Sequence, residues 1–203
     1  MELQESDFAD YYRVPPATQP DPAVGKILLA EPFMRDYIFR HSVTLLISVN
    51  KDEVLGIRLD LPTFSDRKLE DLIPEFRFVV DLPLYHGGPV GKDTLFYLHT
   101  YDGVKDAASV LPGVWVNGDF EEIKRRVLTD SDSSRHIRFF MGYACWTPVQ
   151  LKREMEVEGS WIVSAPEKEM ILQYNEQLWH RTLERMGGKF AVWSRFAMMP
   201  ISN

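Results

Sequence analysis

The sequence predicts an α+β fold, a mixed sheet with helices around it rather than a regular alternation of strand and helix. Two patterns carry that expectation: strand-like runs outnumber helical ones, and several of those runs are neighbours across short turns, as hairpin partners are. An apolar fraction of 45% with 12% aromatic residues over 203 residues supplies one well-filled core, so a single domain over residues 23–203 is expected. Residues 1–22 carry four prolines and several acidic groups and read as an N-terminal extension, with Phe8, Tyr11 and Tyr12 able to pack on the body.

The elements follow in order. Lys26–Ala30 is an aliphatic strand, and Ser42–Val49 and Val54–Leu59 form a hairpin across Asn50-Lys51-Asp52. Ser65 opens a short helix with Leu69, Leu72 and Ile73 on one face, and Pro74 ends it. Phe76–Asp81 and Thr94–His99 are further strands, joined through YHGGPVGKD, and Val114–Val116 is a short one. Asp119 caps a helix, with Glu122 three residues on and Phe120, Ile123 and Val127 facing the core. Ile137–Met141 is a strand that runs into the stretch GYACW. Thr147-Pro148-Val149-Gln150 then has the cap, first-turn proline and third-position glutamine of a helix start, and Gly159 stops that helix. Ser160–Ser164 is a strand, and a last helix spans Asn175–Met186 before Gly187-Gly188.

Composition excludes several function classes. The net charge of −7 opposes binding to phosphate backbones, so direct nucleic-acid contact is not expected. No run approaches the ~20 apolar residues that cross a bilayer, so no membrane association is expected. The acidic opening MELQESDF lacks the basic patch and apolar run of a secretory signal, and one cysteine permits no internal disulfide, which together point to the cytoplasm. His41, His86, His99, His136 and His180 show no metal spacing, and a lone cysteine builds no zinc site, so neither metal nor cofactor is expected.

Two motifs stand out. In GYACWTPVQL, Cys145 lies two residues before the cap Thr147, where a helix dipole can lower a thiol pKa. A nucleophile elbow needs glycines two residues before and after the nucleophile. Here Gly142 stands three before and none follows, so a tight turn packing Tyr143 and Trp146 on the core is expected. The alternative is an enzyme with Cys145 as nucleophile and His86 or His99 as base. In His86-Gly87-Gly88-Pro89-Val90-Gly91, neither the P-loop nor the dinucleotide spacing is met. Its glycines permit close approach of another backbone, with a strand-to-strand turn expected and a ligand loop as alternative.

These motifs, in this order, resemble the YqgE/AlgH family of small bacterial proteins from about Gly25 to Ala191. The likeness rests on Gly25–Ala30 with Phe39-Arg40-His41-Ser42-Val43, on Gly56–Thr63, and on Gly87–Val90 with Leu98-His99. It continues through Gly142–Trp146 with Gln150-Leu151, Gly159-Ser160-Trp161, Leu178-Trp179 and Gly187-Gly188. The chain departs from the family pattern at His41 for arginine, Asp60 for asparagine, and Cys145 and Val149 for glycines. The resemblance implies a branched, partly barrel-like sheet flanked by helices and says little about activity, the family having no established enzyme chemistry and some members carrying a transcriptional-regulator label. The expectation is therefore a non-enzymatic protein, acting in regulation, that binds a protein or small-molecule partner. Its site is expected at Gly87, Gly88, Pro89, Tyr143, Trp146 and Asp60.

Overall fold

The structure is a computed structural model that describes Val14 and residues 18–196. The proposed packing of Phe8, Tyr11 and Tyr12 lies outside those residues. The strands are β1 (Ile27–Ala30), β2 (Val43–Val49), β3 (Val54–Arg58), β4 (Leu84–His86), β5 (Val90–His99), β6 (Ala108–Leu111), β7 (Val114–Val116), β8 (Ile137–Trp146) and β9 (Trp161–Ser164). The helices are α1 (Leu69–Leu72), α2 (Phe120–Thr129), α3 (Ser133–His136), α4 (Pro148–Glu156), α5 (Lys168–Leu172), α6 (Leu178–Met186) and α7 (Gly188–Phe196).

Among the described residues all nine strands join one sheet in the order β6-β7-β5-β8-β3-β2-β1-β9, with β4 attached to β8 off that path. The pairings are antiparallel except β4 with β8, which is parallel. The sheet branches at β8, whose one edge carries β3 and β4 end to end while β5 takes the other. Laid flat, β6 and β9 would stand ~34 Å apart. Instead Val110 of β6 and Ile162 of β9 share one apolar cluster with Leu45, Ile57, Leu98 and Phe140, so the sheet curls around that core. It stays open: a side chain on Gly25, just before β1, would stand 2.2 Å from the carbonyl oxygen of Val110, but β1 and β6 do not pair.

The inner core is closed by α5, α6 and α7 through Met170, Ile171, Leu178, Trp179, Leu183 and Trp193. Two clusters cover the outer face. Under α4, Leu151 and Met155 meet Leu28, Leu46, Val54, Trp146 and Trp161. Under α1 and α2, Leu69, Ile123 and Val127 meet Ile137, Phe139 and Met141. At ~25 cal/mol per Å² of apolar surface removed from water, these clusters supply the main driving force for the fold. Gln19 lies along the outer edge strand, accepting from Val163 N at 2.8 Å and donating to Trp161 O at 3.2 Å, which occupies part of an otherwise open sheet edge.

Local chemistry starts α2 and α4 where expected, whereas α1 begins at Leu69 rather than Ser65, and α7 follows the helix ending at Met186 that the sequence reads as the last. Asp119 accepts from Glu122 N and starts α2, and Thr147 accepts from Gln150 N and starts α4. The expected strand Phe76–Asp81 is instead a 3₁₀ turn over Pro74–Phe78. Its alternating Phe76, Phe78 and Val80 imitate a strand, but only Phe76 is buried while Phe78 and Val80 are 85% and 76% exposed. Once Pro74 redirects the chain, Phe76 N bonds back to Ile73 O and Val79 N to Phe76 O, leaving no ladder to extend. The expected turn GYACW is the second half of β8, with Cys145 opposite Leu55 and Trp146 opposite Val54.

Candidate functional site

Gly87-Gly88-Pro89 and Gly142-Tyr143 meet as a crossing of two backbones. β4 runs along one edge of β8, Leu84 opposite Phe139, and β5 begins on the other edge with Val90 opposite Tyr143. Residues 87–89 therefore pass over β8. Gly87 N donates to Met141 O and Gly87 O accepts from Arg58 N, both at 2.8 Å. A Cβ on Gly88 would stand 2.2 Å from the carbonyl carbon of Tyr143, and one on Gly142 2.8 Å from Gly88 O. Glycine is required because the backbones touch.

Gly142 sits at φ +81, in left-handed space, and there β8 changes phase. Ahead of it Phe139 and Met141 face outward; beyond it Ala144 and Trp146 do. This one-residue slip sends Tyr143 against Phe96, ring centres 5.6 Å apart, and turns Trp146 toward α4. Asp60 takes another place. Its Oδ1 accepts from Val43 N and from Arg58 Nε, each at 2.9 Å, tying the start of β2 to the end of β3.

The Trp146 side of the slip borders a cleft of about 520 Å³. One wall is the β1–β2 loop with Phe33, Asp36 and Phe39; the other is the end of α4 and the start of β9, with Glu154, Glu158 and Trp161. Phe39 packs 5.4 Å from Trp146 and 5.5 Å from Trp161, and the two indoles meet edge to face at 5.7 Å. Glu154 Oε2 accepts from both indoles, at 3.1 Å from Trp146 Nε1 and 2.8 Å from Trp161 Nε1, while Oε1 takes Gln150 Nε2 at 2.7 Å. The carboxylate thus fixes the ring geometry.

The loop is held from behind. Arg58, 4% exposed, pairs with Asp60, donates from Nη1 to Ile38 O at 2.6 Å and lies 5.6 Å from the Phe39 ring centre. Asp36 Oδ1 accepts from Ile38 N at 2.8 Å, an aspartate turn that sets the loop tip. His41 adopts φ +56 beside Trp179, and burial first, then His180 and Arg40, lowers its pKa. Phe33, which lines the cleft, is 49% exposed, and Tyr37 on the same loop is 83% exposed. Glu31, Asp36, Glu154 and Glu158 line the cleft with Arg35, and Glu158 is paired with Arg153 at 3.3 Å, which leaves carboxylates in excess of cations there.

Cys145 and the two histidines do not converge. His86 lies opposite Met141 and Cys145 opposite Leu55 on the same edge of β8, four residues or ~13 Å apart. His99 is opposite Ile137, eight residues or roughly 26 Å from Cys145 along the strand. Cys145 is exposed, but partial burial and the Glu53 carboxylate push its thiol pKa up, away from the thiolate. Among the described residues no cluster of His, Cys, Asp and Glu is arranged to hold a metal, and no helix is long and apolar enough to cross a membrane.

Arg58, Glu154 and Arg138 fall in neither of the two motifs of the sequence. A cation inside an apolar strand run, as in Gly56-Ile-Arg-Leu59 and Ile137-Arg-Phe-Phe140, was the signal for the two arginines.

The sequence pattern described as AlgH-like matches residues 27–191. A UPF0301 protein of Bacteroides thetaiotaomicron is 40% identical over 185 residues, covering 90% of this chain and 92% of that protein. One from Chlorobaculum parvum is 34% identical over 181 residues, covering 88% and 95%. A crystal structure of a Corynebacterium diphtheriae protein superimposes with a TM-score of 0.70 at 26% identity, over 87% of this chain and 93% of that one. The solution structure of the AlgH protein from Pseudomonas aeruginosa shares the fold, with a TM-score of 0.64 at 19% identity over 91% and 100%.

Proposed function

The chain belongs to the AlgH-like family, and we propose that it is a non-enzymatic binding protein that holds a cationic, partly apolar segment of a partner in the Phe39–Trp161 cleft. One observation carries this. Four carboxylates and a fixed aromatic wall share one concave surface, with half-exposed Phe33 in its lining. Carboxylates attract a lysine or arginine, and rigid rings give its alkyl stem and neighbouring side chains apolar surface at low entropy cost. Trp146 backs the site. Asp60 acts through Arg58 on the loop, and Gly87, Gly88, Pro89 and Tyr143 set the slip that aims Trp146. Regulation then works through the partner rather than through DNA, whose phosphates the acidic wall repels. A lone cysteine fits a cytoplasmic setting.

The test is tryptophan fluorescence with Trp161 and Trp146 as reporters. Titration with the peptide acetyl-Phe-Arg-Arg-amide is expected to quench emission, weakening as salt rises, whereas acetyl-Phe-Glu-Glu-amide leaves it unchanged. The pair Asp36→Asn and Glu158→Gln is expected to weaken binding about fivefold or more. Equal response to the two peptides, or full affinity in that variant, rejects the proposal.

A further inference from the structure

We propose that a second cleft, of about 540 Å³ beside the N-terminal end of β4, binds a small organic anion, with Arg138 as its buried counter-charge. β4 begins at Leu84 opposite Phe139, so β8 runs on past it to Arg138 and Ile137, and the cleft opens there. Arg138 is 3% exposed, its guanidinium carbon 4.2 Å from the Tyr85 ring centre and 4.7 Å from that of Phe140.

Its polar partners are neutral. Nη1 donates to Ile171 O at 2.9 Å and Nη2 to Leu59 O at 3.4 Å, while the buried Nε has no acceptor. Among the described residues no carboxylate lies within ion-pair distance of it, because Asp60, which acts on it from further off, is bound to Arg58. Burial lowers its pKa to about 10, which still leaves it charged at neutral pH. A buried cation without an anion is costly, and a ligand that supplies the anion recovers that cost on binding.

The rest of the cleft defines the ligand. Tyr85 and Leu172 line the side of the cleft toward the Arg138 guanidinium, Phe64, Phe76 and Leu84 line its outward side, and Arg67 and Lys68 stand exposed at the rim. Glu70 and Asp81 line the cleft too, so with Arg138 the cations exceed the carboxylates by one. A volume in the ~300–1,000 Å³ range, apolar walls and one buried arginine fit a carboxylate or phosphate carried on an apolar body.

Isothermal titration of the full chain with benzoate, phenyl phosphate, inorganic phosphate and neutral benzamide tests this. Benzoate or phenyl phosphate is expected to bind at least ~10-fold more tightly than both benzamide and inorganic phosphate, and the stronger of the two identifies the headgroup. Arg138→Met is expected to abolish that preference. Should it fail to fold, the exposed pair Arg67→Ala and Lys68→Ala is expected to weaken anion binding about threefold or more with an unchanged melting temperature. Binding of benzamide as tight as benzoate, of inorganic phosphate as tight as phenyl phosphate, or of no probe overturns the inference. So does full anion affinity in Arg138→Met or, where that variant does not fold, in the rim pair.

Discussion

Arg58 and Arg138 are buried to the same degree, 4% and 3% exposed, and both stand on inner strands of the same sheet. Arg58 meets Asp60 through two charge-assisted hydrogen bonds, from Nε and Nη2, and donates from Nη1 to a loop carbonyl. Arg138 meets two rings and two carbonyls and keeps its charge uncompensated. The difference separates a clamp from a site. A paired arginine spends its electrostatic capacity inside the fold, whereas an unpaired one holds it for whatever enters the cleft.

The sharpest break of this comparison is Asp60→Ala. Leaving Arg58 buried without its anion is expected to cost about 3–5 kcal/mol, read as a lower urea midpoint at unchanged slope. The matching change at the other site has the opposite sign. Arg138→Met removes a charge that has no partner and fills a similar volume, so stability is expected to hold or rise by about 1–4 kcal/mol in the same measurement. If both variants destabilise alike, Arg138 is a structural cation and the contrast collapses.

Within the Arg58 region, Glu154→Gln tests whether the tryptophan wall is as well satisfied as the distances imply. Its amide nitrogen accepts nothing, so an indole N–H loses a strong acceptor, and a loss of about 1–3 kcal/mol with altered tryptophan emission is expected. The smallest effect belongs to Cys145→Ser, expected within ~0.5 kcal/mol of the parent because the residue is exposed. With the thiol pKa raised, iodoacetamide is expected to alkylate Cys145 more slowly than a free thiol at pH 7.5, the gap closing as pH rises past about 9. Faster alkylation than a free thiol at pH 7.5 revives a nucleophilic role.

Much of the architecture was legible because it rests on short-range patterns. The hairpin of β2 and β3, the caps at Asp119 and Thr147 and the core faces of Ile123, Val127, Leu151 and Met155 all follow from residues within one or two turns of each other. The misread pieces depended on distant neighbours. Phe76–Asp81 had strand spacing but no free strand edge to join, and GYACW looked like a turn because nothing local shows that β3 pairs with it. The candidate motifs had the same limit. Gly87, Gly88 and Tyr143 do come together, but as touching backbones, while Trp146 is carried to another cluster by the phase slip at Gly142.

The sequence by itself determined the α+β class, the helix caps, the acidic surface and the two glycine motifs, because periodicity, capping and composition act through neighbouring residues. Only the tertiary structure decided which buried charge is neutralised. Arg58 finds its carboxylate two residues along the chain, whereas the groups around Arg138 come from Leu59, Tyr85 and Ile171. Whether a buried cation ends as a clamp or as a waiting site is set by which distant segments fold against it, and the energy at stake depends on dielectric and distance, which no local pattern encodes.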